Sequence, residues 1–200
     1  KRLARELAVV AEPLHRTAAE IRKAAAMAWD ALMQFRAAMR ARGREILESP
    51  LPEAERLVVI VGRAYNTCDP GLNLDLPQKL RNLGACPVPM DMLPLAQEDI
   101  STDFPNMYWK YGQRILKAAQ VIRRSPRLAA IYLTNFSCGP DSFISSFFKK
   151  SMGHKPFLQL ELDEHSADAG VITRCEAFMD SLGASDGRDY EFPHRLLPEP

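Results

Sequence analysis

The spacing of apolar residues changes along the chain. From Leu14 they fall at Leu14, Ala18, Ile21, Ala25, Ala28, Leu32, Phe35 and Met39. Steps of four and three put these on one stripe of a helix. Pro13 suits the first turn of that helix, and Gly43 weakens its far end. A helix over 14–42 would be about 40 Å long. It either lies across its own domain or acts as an arm that docks on another segment of a longer protein. Its small Ala side chains favour close helix contact. Ser49-Pro50-Leu51-Pro52 is a rigid break. It separates a helical arm, 1–49, from an α/β domain, 51–190, with a tail at 191–200.

After the break the pattern alternates. Leu57–Gly62 (LVVIVG) reads as a fully buried strand, and Leu74–Leu83 as a short helix with Pro77 near its start. Pro87–Met90 is a weak, proline-flanked strand. Met107–Arg124 is a helix with Tyr108, Tyr111, Ile115, Ala118, Ala119 and Ile122 on one face. Leu128–Asn135 (LAAIYLTN) is a buried strand, and Asp141–Met152 is a helix capped by Asp141 or Gly139. Pro156–Leu162 is a strand, and Ala167–Leu182 is a helix ended by Gly183. Strands separated by helices imply a parallel sheet with right-handed crossovers. The expected fold is α/β and doubly wound, with a roughly four-stranded parallel sheet after a long N-terminal helix.

Composition narrows the choice of partner. Apolar residues make up 46% and charged residues 26%, as in a globular protein rather than a disordered chain. Twenty-six basic against 25 acidic residues give +1, so nucleic acid is not expected as a partner. Apolar runs such as Leu57–Val61 are far shorter than the roughly 20 residues a membrane helix needs. The start, KRLARELAVV, does not read as a signal peptide, and the missing initiator Met suggests a piece of something longer. The cysteines at 68, 86, 138 and 175 are 18, 52 and 37 residues apart, which is no zinc-ribbon spacing. A reducing, cytoplasmic compartment is expected.

In doubly wound sheets, ligands bind beyond the carboxyl ends of the strands. Here each strand gives way to polar residues at that end. The first offers Arg63, Tyr65, Asn66, Cys68 and Asp69. The second offers Asp91, and the third Asn135, Ser137, Cys138 and Asp141. The fourth offers Glu161, Asp163, Glu164 and His165. GRAYNTCDPG lacks the GxGxxG fingerprint, and there is no GxxxxGK[ST]. Cys138 is the leading candidate, because a helix N-terminus favours the thiolate that binds metal or attacks carbon. Cys68 is a weaker one. Cys86 and Cys175 read as core fillers. Asp163, Glu164 and His165 offer metal ligation or acid–base chemistry, but adjacent residues in a tight loop rarely converge. Helix capping by Ser166 or Asp168 is the simpler reading. Arg63 and Arg174 are expected to pair with this acidic edge. Asn66 and Asp69 fit a turn that bonds its own backbone. His15, His154 and His194 stand alone.

The segments GRAYNTCDPGLNLDLPQKL, PMDMLP, NMYWKYGQRIL, YLTNFSCGPDSFI and LELDEHSADAGVITRCEAFMDSL resemble the acyl-CoA dehydratase activase-related family. This family is related to 2-hydroxyacyl-CoA dehydratases and their ATP-dependent activators. The resemblance covers about residues 55–183, and the first 49 residues add nothing to it. It implies a Rossmann-like domain from an iron–sulfur protein. The 4Fe-4S cluster of such a protein draws cysteines from more than one domain and relays single electrons. Only Cys138 carries over as a cluster ligand; Cys68, Cys86 and Cys175 have no secure counterpart. The remaining ligands and any ATPase domain would come from the rest of the parent protein or from a dehydratase or activator subunit. The isolated segment is expected to be inactive and can be metal-free. Two alternatives stand beside this one. One is a thiol hydrolase or transferase with Cys138 as nucleophile and His165 as base. The other is a non-catalytic scaffold that binds a nucleotide or the CoA moiety of an acyl-CoA.

Overall fold

The computed structural model describes residues 2–11, 13, 15–50, 56–136, 138–163 and 165–185. The predicted tail, together with Leu51, Pro52, Ser137, Glu164 and His194, lies outside them. The chain divides into two compact units, Lys1–Arg42 and Gly43–Pro200.

The first unit holds α1 (Arg2–Val10) and most of α2 (Ala18–Glu48). The sequence pattern did not anticipate α1. α2 starts at Ala18 rather than Leu14 because Thr17 and Glu20 form a reciprocal capping box. The Thr17 N–H donates to Glu20 Oε2 at 2.8 Å, and the Glu20 N–H donates to Thr17 Oγ1 at 3.3 Å. The Thr17 N–H bond, with a second from the Thr17 hydroxyl at 2.8 Å, holds the Glu20 carboxyl below its ordinary range. On the predicted stripe Ile21 is buried, while Leu32 and Phe35 stand exposed.

α2 does not weaken at Gly43 but continues to Glu48. Tertiary packing outweighs propensity here, since a Cβ at Gly43 would sit 2.0 Å from the Met92 carbonyl oxygen. Ile46 and Leu47 then pack against the core. Arg127 closes the helix end by donating to the carbonyls of Leu47 at 2.7 Å and Ser49 at 2.6 Å.

The remaining elements are β1 (Arg56–Gly62), α3 (Ala64–Cys68), α4 (Leu76–Asn82), β2 (Ala85–Pro89), α5 (Lys110–Arg124), β3 (Leu128–Asn135), α6 (Gly139–Met152), β4 (Leu158–Leu162) and α7 (Asp168–Ser185). The four strands form one parallel sheet in the order β2-β1-β3-β4. This is the expected doubly wound, Rossmann-like α/β architecture. α7 runs through Gly183 rather than ending there.

Alternation along the strands builds two cores. Leu57, Val59, Val61, Leu128, Ala130 and Tyr132 face one way, against α5, α6 and the long connection 90–109, which buries Leu93, Ile100 and Met107. Val58, Ile60, Ala129, Ile131, Leu133, Leu160 and Leu162 face the other way, against α4 and α7. β1 leads outward to β2, and the chain then returns past β1 to β3. The switch point therefore lies between the carboxyl ends of β1 and β3.

Candidate functional site at the sheet's carboxyl edge

Arg63, directly after β1, reaches across the switch point to α6. Its Nε lies 3.0 Å from Asp141 Oδ1, an ion-pair contact not aligned as a hydrogen bond, and its Nη2 donates to Asp141 Oδ2 at 3.0 Å. The same Nη2 donates to the sulfur of Cys138. Asp141 is 2% exposed and also accepts from the Asn135 N–H at 3.3 Å. Cys138, not Asp141 or Gly139, is the N-cap of α6. The carboxylate that looked like a cap is instead spent on the guanidinium and on the end of β3. The Tyr65 ring lies 4.6 Å from the guanidinium carbon, which screens it from solvent.

Tyr132 lies beneath this group and had not been singled out. The only clue was one polar-tipped side chain inside the apolar run LAAIYLTN. Its ring stacks on Phe148 with centroids 4.7 Å apart, and its buried hydroxyl has no hydrogen-bond partner. Burial pushes the phenol far above its ordinary value. The Asp141 carboxylate adds to the rise and Arg63 opposes it.

Asn66 was expected in a self-bonding turn. It lies in α3, 1% exposed, with both amide atoms unpartnered. Asp69 does form such a turn, accepting from the N–H groups of Gly71 at 2.9 Å and Leu72 at 3.0 Å. Asp91 is not part of the Arg63 group. It pairs with Arg114, which covers the Tyr111 ring at 5.3 Å. Burial and the Asp91 carboxylate raise the Tyr111 phenol.

The other cysteines are dispersed. Cys68 is exposed at the end of α3, 3.6 Å from Thr67 Oγ1. Cys86 is partly buried in β2, and Cys175 is wholly buried in the second core, where burial pushes its thiol up to about 11. Glu161, within β4, and His165, beyond it, are exposed. Asp163 accepts from Ser166 Oγ at 3.0 Å and from the His165 N–H at 2.9 Å. The Ser166 bond is the main reason its carboxyl lies below the ordinary range. These bonds close the loop. Arg174 turns from the acidic edge and donates to the Gln159 carbonyl at 2.6 Å.

Among the described residues no three His, Cys, Asp or Glu side chains gather as a metal site. A 4Fe-4S cluster needs three or four thiolates. The described residues bring one thiol to the switch point and bury another in a separate core, so on their own they do not fit a complete cluster.

Residues 1–93 match the family model described as the CoA enzyme activase uncharacterised domain (DUF2229). The match starts at the first residue, so the N-terminal helices, which seemed uninformative, are part of what identifies the chain. No curated protein and no solved structure matches it. No helix among the described residues is long and apolar enough to cross a membrane. The matched N-terminal segment, just under half of the chain, and the parallel α/β sheet it enters agree with the motifs CGPDSF and DEHSADAG and support a match to the acyl-CoA dehydratase activase-related family.

Proposed function

We propose that this chain is a Rossmann-like domain of a 2-hydroxyacyl-CoA dehydratase/activase-related system, and that its switch point is the surface offered to the rest of that system. One observation carries the reading. Cys138, the thiol singled out by the motif, stands at the junction of β3 and α6 with its sulfur held by Arg63. Within the proposal Cys138 is this chain's single contribution to a shared 4Fe-4S cluster. The remaining thiolates come from other domains of the parent or from a dehydratase or activator subunit. One-electron transfer or radical dehydration of an acyl-CoA then belongs to the assembled system and not to this segment. A cytoplasmic location accompanies the proposal.

The test is anaerobic reconstitution of the full parent protein with iron and sulfide. Broad visible absorbance lost in Cys138→Ala is the expected result; unchanged absorbance in that variant would remove Cys138 from the cluster.

A further inference from the structure

Three features of residues 63–75, the connection from β1 to α4, do not suit a static turn. First, α3 is a single five-residue turn of helix without a side-chain cap at its start. Second, its buried residue, Asn66, leaves both the Nδ2 donor and the Oδ1 acceptor without a partner at 1% exposure. Burying an unpaired carboxamide is costly, and substituting an apolar group of similar shape removes the cost. Third, Leu74 and Asp75 both hold left-handed backbone, at φ 52° and 51°. That conformation is strained for a bulky side chain. The unpaired group lies near the start of the segment and the strained pair at its end.

Between these points most hydrogen bonds are internal to the segment: the Asn66 and Thr67 N–H groups donate to the Arg63 carbonyl, the Asn73 N–H to that of Asp69 and the Asp75 N–H to that of Pro70. Asn73 Nδ2 donates to the Thr67 carbonyl at 3.1 Å, and Asp69 closes its own turn. At the first end stands Gly62, at φ 157°, packed against the Leu133 carbonyl. At the other end Lys79 Nζ donates to the Leu74 carbonyl and lies 3.2 Å from Asp168.

We propose that residues 64–75 form a lid beside Cys138, hinged at Arg63, whose side chain stays paired with Asp141. In the closed form described above the lid carries the unpaired Asn66 amide and the strain at Leu74 and Asp75. Opening relieves both and turns the Asn66 carboxamide, a donor and an acceptor together, toward the switch point. The inference rests on the reading of that edge as the working surface, but not on the cluster. The lid can be present whether or not Cys138 binds iron.

Hydrogen exchange of the full-length chain, followed by mass spectrometry, tests the lid alongside thermal unfolding. Amides of 64–75 should exchange at least ~10-fold faster than those of β1 and β3. Asn66→Leu should slow that exchange about 10-fold and raise Tm by roughly 2–4 °C, because it removes the unpaired amide from the closed form. Asp75→Gly, which relieves the left-handed backbone at an exposed position, should slow exchange in the same direction. The lid is overturned if Asn66→Leu lowers Tm, if neither variant slows exchange, or if 64–75 is as protected as the strands in the wild type. None of these outcomes bears on whether iron reconstitutes on Cys138.

Discussion

Arg63, directly after β1, pairs with Asp141 in the first turn of α6, which also accepts from the Asn135 N–H at the end of β3. The carboxylate lies against two nitrogens of one guanidinium, each 3.0 Å away. Removing one partner leaves the other buried without its counter-charge, at a typical cost of about 3–5 kcal/mol. The Arg63 side chain is 17% exposed, which softens that cost. Asp141→Asn is therefore expected to lose about 2–3 kcal/mol in urea unfolding. The double variant Arg63→Met with Asp141→Leu should lose less than the sum of the two single changes. Additive losses would show that the pair is not coupled.

Two glycines are set by close approach. At Gly62 a Cβ would lie 2.6 Å from the Leu133 carbonyl oxygen, and at Gly43 it would lie 2.0 Å from that of Met92. In an exposed helix Gly→Ala gains about 1 kcal/mol. Gly43→Ala is expected to reverse that sign and destabilise by ~1–3 kcal/mol, as overpacking does. Gly62→Ala should cost at least as much. Chemical denaturation of both variants checks the sign.

Lys155 gives the fold a pH dependence. Its ammonium reaches the Ile122 carbonyl at 2.7 Å and also that of Ser125, and burial lowers it from 10.5 to about 8. The unfolded lysine keeps its proton up to about 10.4. Between these values the unfolded state binds more protons, so the Lys155 contribution to stability rises with pH from about 8 to about 10. The gain is on the order of 1–3 kcal/mol, because the two carbonyls at the end of α5 favour the charged form and oppose part of the shift. Lys155→Met should flatten the rise, measured as the difference between variant and wild type. The difference also cancels the tyrosines, whose raised values act in the opposite direction above about pH 10.

Thiol reactivity should follow burial. Cys68 is exposed and should be modified first by a maleimide at neutral pH, with Cys138 following. Cys175, with its thiol pushed up to about 11 inside the second core, should react only on unfolding. Peptide mapping after timed labelling gives the order, and early modification of Cys175 would contradict the packing of α7.

The segment that matches the family model, 1–93, should not fold by itself. It ends before β3, which pairs with β1 from Leu57↔Leu128 to Gly62↔Leu133, and before α5 and α6, which cover Val59 and Val61. A two-stranded remnant with one face bare is marginal in water. Circular dichroism and proteolysis of that fragment should show helix from the N-terminal region and no protected sheet.

The parts legible in the sequence were those governed by local pattern. LVVIVG and LAAIYLTN are strands because buried parallel strands are apolar on both faces, and α5 follows its 3.6-residue stripe from Tyr111, although it starts at Lys110 rather than Met107 and leaves Tyr108 exposed. The carboxyl edge as the meeting place of polar residues follows from the same alternation. Features that depend on partners remote in sequence were not legible. α2 passes through Gly43 because Met92 lies against it, and Asp141 pairs with Arg63 instead of capping α6. Asn66 sits inside a helical turn although its neighbours spell a loop. The start of α2 was legible in Thr17 and Glu20 but was overshadowed by Pro13.

β2 forms one margin of the sheet and contains Pro87 and Pro89. A proline nitrogen carries no hydrogen, so that margin cannot complete a hydrogen-bonded ladder with an incoming strand. The sheet is sealed on the β2 side and left extendable on the β4 side. If the parent polypeptide lengthens this sheet, its additional strands must join next to Leu158–Leu162.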